Sequence, residues 1–320
     1  MTQAPIDTMN GEFRRTAKVS QSSADAGSAT TTFGGDPDAQ RRSELAQFLK
    51  ARRAAVSPQS IGLRPARRRR AHGLLREEVA QRAGISPTWY TWLEQGREIN
   101  PSAEVLGQLA DALLLNATER AHLVTLAKPV ATARASRQFS REVSSELATW
   151  IDGLDQPAYA LNGCWDVLAW NESTCRLLGD FGSLASTDRN ILRMIFMWQP
   201  WRTLFVEWEC LAASAVAQFR AETARHTGAP ELLALTSALA RDSALFARLW
   251  RERRLDVPQL RAKRLRHAQL GILDLTYAPL RPRGVADDIS VVVYGARPDD
   301  ATRKRLLASK GQSAGVGNDV

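Results

Sequence analysis

The chain has few of the residues that mark a chemical or cellular specialisation. It has three cysteines in 320 residues, Cys164, Cys175 and Cys210. They have no metal-ligand spacing and no small disulfide scaffold around them, so they fit free thiols in a reducing cytoplasm. Four histidines, His72, His122, His226 and His267, are too scattered for a zinc site. No GxSxG, P-loop or HExxH occurs. Glu207 and Glu209 lie two apart on a predicted helix and point to different faces, and Asp287-Asp288 falls in a turn. Acid/base catalysis therefore lacks a converging pair. No apolar run reaches the length of a membrane span, and the N-terminus lacks a signal core. The expectation is a cytoplasmic protein with no membrane association, no metal, no cofactor and no catalytic residues.

Positive charge is present in excess, at a net +9. Much of it sits together, at Arg64 and Arg67 to Arg70, with Arg41, Arg42, Lys50, Arg52 and Arg53 just upstream. Such a run is often a solvated tail. Standing before the stretch described next, it reads as a contact to nucleic-acid phosphates.

That stretch is LLREEVAQRAGISPTWYTWLEQGR, Leu74 to Arg97. Val79 and Ala83 share one helical face, Tyr90 and Leu93 another, and Ala80 is small where two helices would cross. Gly84 suits a backbone with positive φ that ends the first helix. Ser86 can cap the second, with Pro87 at its first position. The pattern predicts a helix-turn-helix whose second helix enters the major groove of DNA. On that helix only Pro87, Thr88, Thr91 and Trp92 fall where base edges can be reached.

These residues resemble the Xre-type helix-turn-helix regulators, and within them the MmyB-like subgroup. The resemblance is carried by Gly73 to Ala80, Ala83 to Ser86, Trp89 to Arg97, Asn100-Pro101-Ser102 and Val105-Leu106. It implies that Arg76, Gln95 and Arg97 contact phosphates, which fix register and carry little sequence information. The subgroup usually has Arg where this chain has Trp92, so its base preference does not transfer.

In chain order, residues 1–38 are rich in small polar residues and are expected to be disordered. Residues 41–127 are expected to form an all-α, five-helix, lambda-repressor-like DNA-binding domain. Its fourth helix would start at Pro101 with Asn100 as cap, and its fifth at an Asn116–Glu119 capping box. A linker covers 128–140, and a helix is expected over 136–154. Beyond it, PAYALN and WDVLAWN read as strands joined at Asn162-Gly163. A helical section follows to about Arg254, then three strands. Residues 141–296 therefore read as an α+β domain with helices on one face of the sheet, and 297–320 as a C-terminal tail with a short helix at 300–309.

This second half is also similar to the MmyB-like ligand-binding domain, with its PAS-like sheet. The resemblance lies in Pro157 to Tyr159, Trp165 to Asn171, Asn190 to Arg193, Leu249-Trp250, and Arg266-His267 with Gly271, Leu273, Leu275 and Tyr277. Ala268 stands where the family usually has Pro. The largely aromatic cluster Trp165, Trp170, Met194, Phe196, Trp201 and Trp208 reads either as a cavity lining or as ordinary core. The resemblance implies a pocket for a small hydrophobic molecule such as a fatty acid, with Asn171, Arg266, His267 and Tyr277 near its polar end. The implied protein is a homodimeric transcriptional regulator that binds double-stranded operator DNA and senses that ligand. The alternatives are a C-terminal domain that turns over its ligand, or one that is a protein-interaction module.

Overall fold

The computed structural model describes residues 18–19, 36–62, 73–128, 138–255, 262–296 and 301–306. The basic run from Arg64 to Arg70 and His72 lie outside them.

Among the described residues the N-terminal unit has five α-helices: α1 (Pro37–Ala55), α2 (Arg76–Arg82), α3 (Pro87–Glu94), α4 (Ala103–Ala112) and α5 (Ala117–Ala127). Leu45, Phe48 and Leu49 of α1 face Val79 and Ala80 of α2, Tyr90 and Leu93 of α3, Leu109 of α4 and Leu123 of α5. Each fully buried side chain of this kind contributes about 1.5–3 kcal/mol relative to exposure. Gly84 adopts φ +64° in the turn, and the Ser86 hydroxyl accepts from Trp89 N at 3.1 Å. The Asn116–Glu119 capping box closes reciprocally at 2.9 and 3.1 Å. The cap of α4 is Ser102, which accepts from Val105 N, rather than Asn100. Asn100 and Pro101 stay outside the helix.

The C-terminal unit contains α6 (Ser145–Asp152), β2 (Ala158–Leu161), β3 (Val167–Trp170) and α7 (Glu172–Leu178). There follow α8 (Ile191–Met197), α9 (Gln199–Leu204), α10 (Trp208–Thr223), α11 (Pro230–Asp242) and α12 (Ala244–Glu252). Strands β4 (Ala262–His267), β5 (Gly271–Leu280) and β6 (Ser290–Gly295) complete an antiparallel sheet. Its order is β1-β3-β2-β6-β5-β4, where β1 is the two-residue strand Lys18–Val19. The segment 1–38 is thus ordered at Lys18–Val19 and from Pro37, where α1 begins.

Strand alternation sorts the two faces. Tyr159 and Leu161 join the large aromatic core beneath α8 to α12. Ala158 and Ala160 point the other way, against Leu147 and Ile151 of α6. Helices therefore cover both faces, not one, because α6 turns back over the side that the small alanines leave open.

The helix expected over 136–154 is shorter, since 138–144 is not helical and the helix begins at Ser145 with Ser144 as its cap. Ser140 is held there through its N and Oγ by the Asp288 carboxylate, at 2.8 and 2.7 Å. Gly163 serves this segment and not the turn conformation: a Cβ on it would lie 2.8 Å from the Phe139 ring. The turn between β2 and β3 is longer than a two-residue hairpin, and its left-handed position falls on Trp165, φ +67°. The Asn162 side chain accepts from Cys164 N and Asp166 N, both at 2.9 Å, which holds Trp165 in that costly conformation. Residues 301–306 form a helical turn, and Thr302 Oγ accepts from Asp274 N on β5 at 3.0 Å.

Candidate DNA interface and ligand cavity

Helix α3 buries Tyr90, Leu93 and Glu94 and exposes the opposite side. Pro87, Thr88, Trp92, Gln95 and Arg97 are exposed, and Thr91 is half-buried with its hydroxyl donating to Pro87 O at 2.8 Å. The Arg97 guanidinium lies 5.5 Å from the centre of the Trp92 ring. This stack gives the exposed indole a fixed neighbour and keeps the cation at the end of the helix.

Glu94 holds that helix in place from inside. Its fully buried carboxylate accepts from Arg53 Nε and Nη2 at 2.6 and 3.1 Å, and from Arg76 Nε at 2.7 Å. Burial pushes the Glu94 carboxyl up, but the hydrogen bonds from Arg53 and Arg76 outweigh it and hold it below its usual range. Arg76, expected to contact phosphate, therefore spends Nε on this internal bond while its side chain stays partly exposed.

In the second unit a cavity of about 500 Å³ opens between the sheet and the helical layer. Tyr159, Leu161 and Val292 form its sheet side. Ile191 and Ile195 of α8 face it, four residues apart, as does Phe205. One stripe of α10 closes it: Leu211, Ser214, Ala215, Gln218 and Glu222. Trp165 joins this wall and donates through Nε1 to Glu222 at 2.9 Å, while Gln218 donates to the other Glu222 oxygen at 2.9 Å. Lys263, Arg264 and Arg281 also line it, and Lys263 Nζ sits 4.4 Å from the centre of the Tyr277 ring. The result is an apolar interior with one polar wall and cationic side chains on β4 and just after β5, the usual composition of a small-molecule site.

Of the residues expected to contact a ligand, Trp165 and Tyr277 line this cavity. The others are placed elsewhere for identifiable reasons. Met194 and Phe196 are buried in the core rather than in the cavity lining, and Phe196 packs edge-on against Phe246. Trp201 is core against Phe181 and Phe205, with Nε1 donating to Leu178 O at 2.9 Å. Trp170 is buried against Phe181, with Arg189 over its ring. Asn171 caps α7 and ties it to the chain before β2. His267 Nε2 bonds to Arg176 O at 2.9 Å, and Arg266 is exposed on the opposite side of β4.

Lys263, Glu222, Gln218 and the small residues of α10 are wall residues that sequence reasoning missed. A Leu-Ser-Ala-Gln-Glu stripe is indistinguishable by pattern from any helix packed on a sheet. Among the described residues, no group of three His, Cys, Asp or Glu side chains is placed to hold a metal ion, and no helix is long and apolar enough to cross a membrane.

A family model described as the MmyB-like transcription regulator ligand binding domain matches residues 143–309, more than half of the chain. The chain belongs to this family. A helix-turn-helix domain model matches residues 44–123, so the MmyB-like domain here follows a DNA-binding unit in the same chain. The MmyB-like match runs past Ala296 to include the helical turn at 301–306, which docks on β5 through Thr302. Comparison with curated proteins finds no match. The two matched domains make the protein a ligand-sensing transcription regulator.

The two units touch. Arg52 of α1 pairs with Glu119 at 2.6 Å and donates to Glu252 O at 3.2 Å. His122 of α5 is buried beside this contact, edge-on to Phe48. Burial and the neighbouring Arg220, Arg253 and Arg52 lower its pKa to about 3. Because the folded value lies below the ordinary 6.5, the fold loses stability as pH falls from about 6.5 toward 3. By pH 5 the loss from this one group is about 2 kcal/mol. His122→Phe should remove that part of the acid sensitivity. Urea titrations of both proteins at pH 7 and pH 5 check this, and equal pH slopes would refute it.

Proposed function

We propose that the protein is a cytoplasmic homodimeric regulator that reads a two-fold operator with α3 and senses a small apolar acid, such as a fatty acid. The observation that carries this reading is the cavity. It has an apolar interior large enough for a drug-sized ligand and carries Lys263 and Arg281 to attract an acidic head group. Trp165, Tyr277, Phe205 and the α10 stripe supply the apolar contact. The antiparallel sheet under a helical layer is consistent with a PAS-like sensor.

On the DNA side, Thr88 and Trp92 are the base-reading candidates, because they are exposed on the outer face of α3. Gln95, Arg97 and the outer nitrogens of Arg76 are the phosphate contacts. A dimer follows from physics, since one recognition helix reads too few base pairs for genomic selectivity. Half-sites about 34 Å apart are expected.

Thr88→Ala should lose about 1–3 kcal/mol of discrimination at particular base positions. Arg97→Ala should weaken all sequences alike and reduce the slope of affinity against salt by about one. Fluorescence anisotropy on operator variants at several salt concentrations separates the two. Uniform loss for both variants contradicts this division of roles. Native mass spectrometry of the protein from its host tests the cavity: one apolar acid per subunit, lost in Lys263→Glu, is expected, and an empty protein that also fails to bind C8–C16 carboxylates refutes it.

A further inference from the structure

Helix α10 serves two sites at once. The cavity stripe Ala215, Gln218 and Glu222 lies on one side, and Arg220, two residues from both Gln218 and Glu222, lies across the helix. Arg220 is buried, its guanidinium stacked 3.7 Å from the centre of the Trp250 ring and bonded to Trp250 O. Its Nη1 also reaches Glu44 of α1 at 3.3 Å. Arg253, in a left-handed conformation after α12, binds the same Glu44 carboxylate and Gln47. One carboxylate of the DNA-binding unit is thus gripped by two arginines of the cavity unit.

A continuous packed path joins the cavity wall to this grip. The Trp165 ring meets Phe219 at 5.2 Å, Phe219 meets Trp250 at 6.4 Å, and Trp250 carries Arg220. Beyond the grip, α1 holds the recognition helix through Arg53 and Glu94. The grip is also poorly balanced. Arg52, Arg220 and Arg253 crowd Glu44 and Glu119, and the Nε atoms of Arg52 and Arg220 have no hydrogen-bond partner among the described residues. Surplus cations around one carboxylate make docking less favourable than it would be in a balanced pair, so a small shift of α10 bears directly on whether Glu44 stays held.

We infer that the Arg220/Arg253–Glu44 grip is the switch through which occupancy of the cavity reaches the DNA-binding domain. This rests on the reading of the cavity as the ligand site. A ligand against Ala215 and Gln218 pushes α10, draws Arg220 off Glu44 and frees α1, and with it the pair of recognition helices, to change spacing. Its free energy of coupling is the difference in ligand affinity between docked and released forms, and operator DNA must change ligand affinity by the same factor.

The test uses hydrogen exchange of the full-length protein, read over α1 amides. Ala215→Trp fills the cavity covalently, Glu44→Gln breaks the grip, and the double variant combines them. Binding of the fluorescent apolar anion ANS reports on the cavity separately. Expected results are α1 exchange faster by about fivefold or more in each single variant, with no further increase in the double variant. Unchanged α1 exchange in Ala215→Trp, with ANS binding abolished, would overturn the switch while leaving the cavity intact. Additive increases in the double variant would also overturn it. If ANS does not bind the wild type, the ligand reading loses support, and the switch is still decided by Ala215→Trp. Leu211→Trp, on the same cavity stripe, replaces Ala215→Trp if the latter fails to fold by circular dichroism.

Discussion

Glu94→Ala should be the most damaging single change in the DNA-binding unit, lowering its melting temperature by about 10 °C or more. The carboxylate is fully buried and is the shared partner of Arg53 and Arg76. Removing it leaves the half-buried Arg53 guanidinium without its carboxylate, with Leu74 O at 2.8 Å and the neighbouring Tyr90 side chain beside it. Breaking a buried pair in this way costs about 3–5 kcal/mol, more than the pair itself contributes net. The loss falls where α1, α2 and the end of α3 meet, so operator binding should fail together with stability. The wild-type protein should show the same weakness in acid. Glu94 has a lowered pKa when folded, so its contribution is complete above the ordinary carboxylate value and disappears as pH falls through the folded value. Thermal unfolding by circular dichroism at pH 7 and pH 4 measures both effects. A variant that melts within a degree or two of wild type would show that the packing of Tyr90 and Leu93 alone holds α3.

The second large effect is expected from Asn171→Asp. The side-chain amide donates toward the carbonyls of Ile151, Leu154 and Gln156 at 3.2, 2.9 and 2.7 Å. Its carbonyl accepts from Ala158 N and Thr174 N at 3.1 and 3.0 Å and from the Thr174 hydroxyl at 3.0 Å. One nearly inaccessible side chain therefore joins the end of α6, the start of β2 and the cap of α7. An aspartate of the same size would set a second oxygen against three carbonyls, with no donor among them. That unpaired burial costs about 3 kcal/mol or more. The cavity unit should melt earlier, or the introduced carboxyl should stay protonated to neutral pH and the loss ease in acid. Because Asn171 does not line the cavity, ligand affinity per folded molecule should be unchanged. A variant of normal stability with weakened ligand binding would restore Asn171 to the site.

The two halves differ in how far their sequence could be read. The helix-turn-helix was legible because its constraints are local: Gly84 carries the positive φ, Ser86 caps, Pro87 starts, and Val79, Tyr90 and Leu93 keep helical spacing. The buried Glu94 was not legible, since its partner Arg53 lies 41 positions away and looks like part of a basic run. In the second half, strands and helices followed from alternation and caps, but the cavity did not. Its walls come from segments between Tyr159 and Val292, and nothing in a tryptophan's local pattern distinguishes Trp165, which faces the cavity, from Trp201, which fills the core. Ser140 and Asp288 kept 138–144 out of the expected helix by a bond across 148 positions. Composition and spacing cannot register such a contact.

Whatever occupies the cavity should change how the protein holds DNA. The most direct measurement is a titration of the full-length protein onto its own promoter fragment at fixed salt, with and without saturating C8–C16 carboxylates. At least one chain length should change the apparent Kd by about fivefold or more, and that response should vanish in Ala215→Trp. An unchanged Kd for every chain length shown by mass spectrometry to be bound would contradict the coupling of cavity to DNA.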